Sequence, residues 1–177
     1  MQVEVSVQDC YFTACETADT DAEEEKSPNP ISTQTWESWF YQWLEALQPD
    51  ISPASAYELS LRLTDDTEIQ ALNSQYRNKN QPTDVLAFAA LEVNSPQLPP
   101  QIQLSMPVYL GDIVISVDTA NRQASEQGHS LQTELAWLST HGLLHLLGWD
   151  HPDEESLMEM LNQQASLIQN VNLSVQI

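Results

Sequence analysis

His141, His145 and His151 are three of the four histidines in this 177-residue chain, and they share one stretch, HGLLHLLGWDH. Imidazole is a common metal ligand near neutral pH because its uncharged ring offers a nitrogen lone pair. Residues four apart on an α-helix lie on one face with Cβ atoms about 6 Å apart, so His141 and His145 can aim two rings at one point. A zinc ion takes about four tetrahedral ligands, so a third protein nitrogen is needed, and His151 supplies it if the helix stops first. Gly148 provides the stop, because glycine takes the left-handed conformation that ends a helix and reverses the chain. Three ligands leave one coordination position for water, the arrangement of catalytic rather than structural zinc. Asp150, Cys10 and Cys15 are the candidates for a fourth ligand; Asp150, beside His151, is better suited to holding an imidazole or a water in place.

The spacing matches the metzincin pattern H-E-x-x-H-x-x-G-x-x-H at every specified position but one, since Gly142 stands where the glutamate would be. In those peptidases the glutamate is the general base toward the zinc water, and glycine cannot accept a proton. The ligand set is kept and the peptidase base is missing.

Helical and strand periodicities indicate what must position these residues. Met1 to Val7 alternates as a half-buried strand, and so does Tyr57 to Leu63. Trp36, Trp39, Phe40, Trp43, Leu44 and Leu47 recur at helical spacing and predict an amphipathic helix whose aromatic stripe belongs to the core. Asp65 and Glu68 are spaced as a capping pair for a helix that ends near Arg77, before Pro82. DVLAFAAL from Asp84 and YLGDIVISV from Tyr109 read as buried strands. The polar, proline-rich connection between them reads as a long hairpin loop or lid. A polar helix from Asp118 to about Gly128, a helix capped by Ser130 that carries His141 and His145, and a last helix opened by Asp153 complete the chain. The fold class is α+β, with a small mixed sheet of about four strands packed with helices and the zinc site at the end of a central helix. Residues 1–177 are expected to form one domain, with Glu16 to Ser32 a disordered acidic insertion.

Composition narrows the function. Twenty-six acidic residues against five basic ones give a net charge of −21, so no basic stripe exists to neutralise many phosphates, and Arg77 with Lys79 is the only close basic pair. No apolar stretch approaches the roughly 20 residues of a membrane span, and no segment calls for a membrane or an organic cofactor. Cys10 and Cys15, without a secretory signal, read as two reduced thiols of a cytoplasmic protein.

HGLLHLLGWDH, with LNSQYRNKNQPTDVLAF from Leu72 and GDIVIS from Gly111, resembles the bacterial YbeY family of single-domain metalloendoribonucleases. The first stretch fits the family's H-G-x-L-H-L-x-G-x-D-H throughout, whereas the family's serine in T-D-V-L-S-F is Ala87 here. The resemblance implies one zinc ion on His141, His145 and His151, a catalytic role for Arg77, and cleavage of single-stranded ribosomal RNA in 16S 3′ end maturation and ribosome quality control. It further implies partners on the ribosome, among them ribosomal proteins. Chemistry supports the arginine independently: phosphodiester cleavage needs a nucleophile, either activated water or the ribose 2′-OH, and a donor fork such as guanidinium for the growing phosphate charge. Asp84 could orient Arg77 or a ligand, or simply cap a turn. A metallohydrolase of another substrate and a non-enzymatic assembly factor with a structural zinc are the competing readings.

Overall fold

The structure of the protein, a computed structural model, describes residues 1–12, 29–49, 56–90, 101 and 106–175. In chain order they form β1 (Gln2–Asp9), α1 (Thr33–Leu47), β2 (Ala56–Thr64), α2 (Asp66–Arg77), β3 (Val85–Ala89), β4 (Val108–Ser116), α3 (Val117–Gln127), α4 (Leu131–Leu146) and α5 (Glu154–Asn170). The sheet runs β1-β2-β4-β3, with β1, β2 and β4 parallel and β3 antiparallel to β4. This is the expected mixed sheet of four strands packed with helices. The connection from β3 to β4 joins antiparallel neighbours, as a hairpin does, but most of it lies outside the described residues.

The period-two alternation of the strands sorts side chains onto two faces. Leu59, Leu61 and Leu63 of β2 and Ile113 and Ile115 of β4 enter the main core with α1, α4 and α5. Each such buried side chain stabilises the fold by about 1.5–3 kcal/mol. The intervening Val114 and Leu86 face the other way and pack with Ile69 of α2, with Leu72 and Phe88 at the margin. The histidine helix therefore lies on one face of the sheet and the arginine helix on the other.

The aromatic stripe of α1 is core, as its spacing suggests. Trp36, Phe40 and Trp43 have no exposed surface, the rings of Phe40 and Trp43 meet edge to face at 5.0 Å, and Trp43 Nε1 donates to the Leu167 carbonyl of α5 at 2.9 Å.

Three local expectations need adjustment. Asp65 caps α2 by accepting from Glu68 N at 2.9 Å, but the Glu68 carboxylate turns to Arg62 on β2 rather than back to the cap, because an ion pair with two guanidinium nitrogens outcompetes one backbone N–H. The acidic segment is structured at its end. Ile31 is buried, Asn29 Nδ2 donates to Asp9 at 2.9 Å, and Ser32 caps α1; residues 13–28 lie outside the described residues. Cys10 is disulfide-bonded, not a reduced thiol. Its backbone N–H donates to the Leu63 carbonyl at 2.9 Å where β1 ends; a disulfide forms where the fold brings two thiols within bonding distance, which counting cysteines cannot see. Cys15 lies outside the described residues.

Candidate metal centre

Helix α4 begins at Ser130, whose hydroxyl accepts from Thr133 N at 3.1 Å, and it ends at Leu146. Its interior is unusually apolar, with Leu135, Leu138, Leu143, Leu144 and Leu146 buried. This burial comes from packing between the sheet and α5. His141 and His145 fall on the one stripe that leaves the core. Their Nε2 atoms are 3.0 Å apart.

Two residues bring His151 back to this pair. Gly148 takes φ +95°, a conformation costly to any residue with a Cβ, and the chain reverses. Asp150 Oδ1 then accepts from His151 N at 2.8 Å, steadying the turn. The ring of His151 comes to 5.7 Å from that of His141 and 5.4 Å from that of His145, centre to centre. The three ligand nitrogens lie within 4.8 Å of one another. A tetrahedron with Zn–N bonds near 2.05 Å has edges of about 3.3 Å, so one pair is already at ligand spacing and His151 needs only a small ring movement.

The environment suits a cation. Burial pushes the His141 and His145 imidazoles below their ordinary range, so both are neutral and have a free lone pair near pH 7. His141 Nδ1 donates to Gln164 Oε1 at 3.1 Å, and Gln164, buried on α5, is itself oriented by Nε2 donating to the Trp137 carbonyl at 3.4 Å. With its proton kept on Nδ1, His141 presents Nε2 to the cluster, an outer-shell arrangement typical of metal-ligating histidines. Gln164 was not picked out from the sequence. Its signal was a glutamine on the apolar stripe of Met160, Leu167 and Ile168.

Among the described residues no cysteine or carboxylate joins the cluster. Cys10 is engaged in its disulfide, and Asp150 Oδ1 accepts from the backbone N–H of His151. Gly142 is explained by packing. A Cβ there would sit 2.9 Å from Ile113 Cγ2 of β4, so the position faces the sheet, and a glutamate would have to displace the Ile113 side chain to fit.

Arg77 is the last residue of α2, exposed, and makes no ion pair among the described residues; Nη2 donates to the Ala87 carbonyl of β3 at a long 3.4 Å. Asn73, buried beneath it, fastens the following turn by donating Nδ2 to the Gln81 carbonyl at 2.9 Å and accepting Lys79 N at its own carbonyl at 3.2 Å. At the other end of α2, Asp66 accepts from Ser116 Oγ at 2.6 Å, Thr119 Oγ1 at 2.7 Å and Arg122 Nη2 at 2.8 Å, which ties the helix to the β4–α3 junction. Arg77 thus touches Ala87, Ala87 pairs with Ile113, and Ile113 lies against Gly142 between the two helical histidines. Asp84 is not bonded to Arg77. It caps β3 by accepting Val85 N at 2.8 Å and takes Gln123 Nε2 at 3.3 Å, while its charge favours protonation of His141.

The chain matches the family described as endoribonuclease YbeY over residues 21–172. It is 56% identical to the endoribonuclease YbeY of a Nostoc strain, covering 100% of this chain and 94% of that protein. It is 54% identical to the one of Trichodesmium erythraeum, covering 97% and 94%. The solution structure of TM1509 from Thermotoga maritima superposes with a TM-score of 0.53 at 20% identity, covering 96% of this chain and 89% of that one, which shows a shared fold.

Proposed function

From the premise that the chain belongs to the YbeY endoribonuclease family, we propose that His141, His145 and His151 hold one zinc ion and that Arg77 binds the scissile phosphate of single-stranded ribosomal RNA. A hydrolase of RNA in ribosomal RNA processing is what this family membership means for the chain; the 16S 3′ end is the site we assign. The observation that carries the metal assignment is the pair of Nε2 atoms at 3.0 Å, with His141 Nδ1–H donating to Gln164 Oε1.

Zinc supplies a Lewis acid that activates water or polarises the phosphate. The protein's own residues do the rest. His141 and His145 stay neutral because they are buried. Among the described residues Arg77 has only one long hydrogen bond to lose before its fork can turn to a phosphate. Position 142 offers no base, so the proton that the attacking water or ribose 2′-OH gives up passes to solvent water rather than to a peptidase-type carboxylate.

A net charge of −21 repels RNA. Residues 1–177 therefore act, in this reading, as one cytoplasmic domain that is slow on its own and is directed by the ribosome or a ribosomal protein. The test is cleavage of a single-stranded RNA by wild type, Arg77→Ala and His141→Ala, with zinc measured on each. Arg77→Ala should retain zinc and lose at least tenfold in rate; His141→Ala should lose both. Wild-type rates in Arg77→Ala would remove the arginine from the chemistry, and a zinc-loaded wild type that cuts no RNA with or without ribosomes would favour the assembly-factor reading.

A further inference from the structure

On the face of the sheet away from the histidines, α2 and the strands enclose a hollow of about 500 Å³. Leu72 and Val114 form its apolar floor, and the rings of Tyr76 and Phe88 wall it, edge to face at 5.2 Å. Tyr76 is 59% exposed, a large amount for an aromatic ring lying over an apolar floor. On the rim, Asp112 accepts from Tyr109 Oη at 2.5 Å through one oxygen, and the other has no hydrogen bond among the described residues. We propose that this hollow is a subsite for one unpaired nucleobase of the RNA whose phosphate Arg77 holds; the inference rests on the endoribonuclease reading and extends it.

Two observations select a base rather than another ligand. The first is continuity: Tyr76 immediately precedes Arg77, and Phe88 immediately follows Ala87, whose carbonyl receives the Arg77 hydrogen bond. A strand with its phosphate on Arg77 at the β3 edge brings the neighbouring base over the Tyr76 ring. The second is charge. Of the basic residues described, Arg62 and Arg122 are consumed by Glu68 and Asp66, which leaves Arg77 and Lys79 to attract a polyanion to a chain of net charge −21. Affinity from phosphate neutralisation is therefore small. Stacking on an aromatic face needs no positive charge and is the other general source of single-strand affinity. The free Asp112 oxygen at the rim adds an acceptor suited to a base N–H donor, the chemistry by which carboxylates read exocyclic amines.

The experiment measures binding of the zinc-loaded protein to a short 2′-O-methyl single-stranded oligonucleotide and to a series in which one position at a time is abasic. Wild type should lose about ten- to hundredfold in affinity at one abasic position. Tyr76→Ala should bind the intact oligonucleotide more weakly by the same factor and show no further loss at that position, with its salt dependence unchanged; Tyr76→Phe, which keeps the ring, should behave as wild type. Tyr76→Ala that binds as tightly as wild type, or that still suffers the abasic penalty, overturns the subsite while leaving RNA cleavage intact. If the wild type neither binds nor cuts single-stranded RNA with or without ribosomes, the endoribonuclease reading fails, and the subsite falls with it.

Discussion

Replacing Gln164 with leucine should weaken zinc binding without touching a ligand. In the native site His141 Nδ1–H donates to Gln164 Oε1 at 3.1 Å, and the amide is held from flipping by its nitrogen donating to the Trp137 carbonyl. Leucine fills a similar volume but accepts nothing. His141 then has either an unpaired donor in a mostly buried position, costing about 1–3 kcal/mol, or a proton moved to Nε2, where it blocks the lone pair that faces His145. Loss of such outer-shell partners lowers metal affinity about 10- to 100-fold elsewhere, or about 1.4–2.7 kcal/mol. A chelator-competition titration reads the affinity directly, and the melting temperature of the metal-free variant separates folding from binding. Gln164→Glu retains an acceptor for Nδ1 and should fall between wild type and Gln164→Leu. Zinc affinity for Gln164→Leu within twofold of wild type would refute the claim that this hydrogen bond sets the tautomer.

Gly142→Ala brings a Cβ to 2.9 Å from Ile113 Cγ2. Overpacking of about 1–3 kcal/mol, less about 1 kcal/mol of helix propensity, should show as a net loss in denaturant unfolding, and the loss should vanish when measured in an Ile113→Ala background, which removes every clashing atom. For Gly148→Ala, nothing lies within 4 Å of the added Cβ, so only the φ of +95° is strained; a cost of about 1–2 kcal/mol and a fall in zinc affinity from a displaced His151 are expected in unfolding and titration curves. Burial pushes the Glu134 carboxyl up from its ordinary value, the hydrogen bond and charge of His129 pull it partly back, and Asp84 pushes it up again. The folded state then binds that proton more tightly than the unfolded chain, so Glu134 favours folding most below the unfolded value of about 4.3 and loses that contribution as pH rises through the raised folded value. Glu134→Gln should therefore gain stability relative to wild type as pH increases from about 4.5; a constant difference across pH 4–8 in urea unfolding would contradict this.

Much of the site was readable in short windows because its causes are local. Helical spacing alone puts His141 and His145 on one face, a glycine three residues past His145 permits the turn, and caps at Ser130 and Asp153 open the histidine helix and the helix after it, each through a side chain and a backbone N–H a few residues apart. Gly142 was also conspicuous, but for what it lacked. Its actual environment, a β-branched side chain on β4, is 29 positions away and follows from how the helix sits on the sheet.

The element order, the histidine trio and the excess of negative charge thus depended on nothing beyond residue type and spacing, since backbone hydrogen bonding and amphipathic periodicity act within a turn or two of chain. Packing settled everything that joins distant segments. The insertion of β4 between β2 and β3, Gln164 reaching His141 from α5, the Asp66 junction that holds the arginine helix, and the Tyr76–Phe88 hollow all bring together residues separated by at least a dozen positions. Many side chains could have met those needs equally well in the sequence. Which ones do is decided only when burial forces the helices and the sheet into contact and each buried polar group must find a partner.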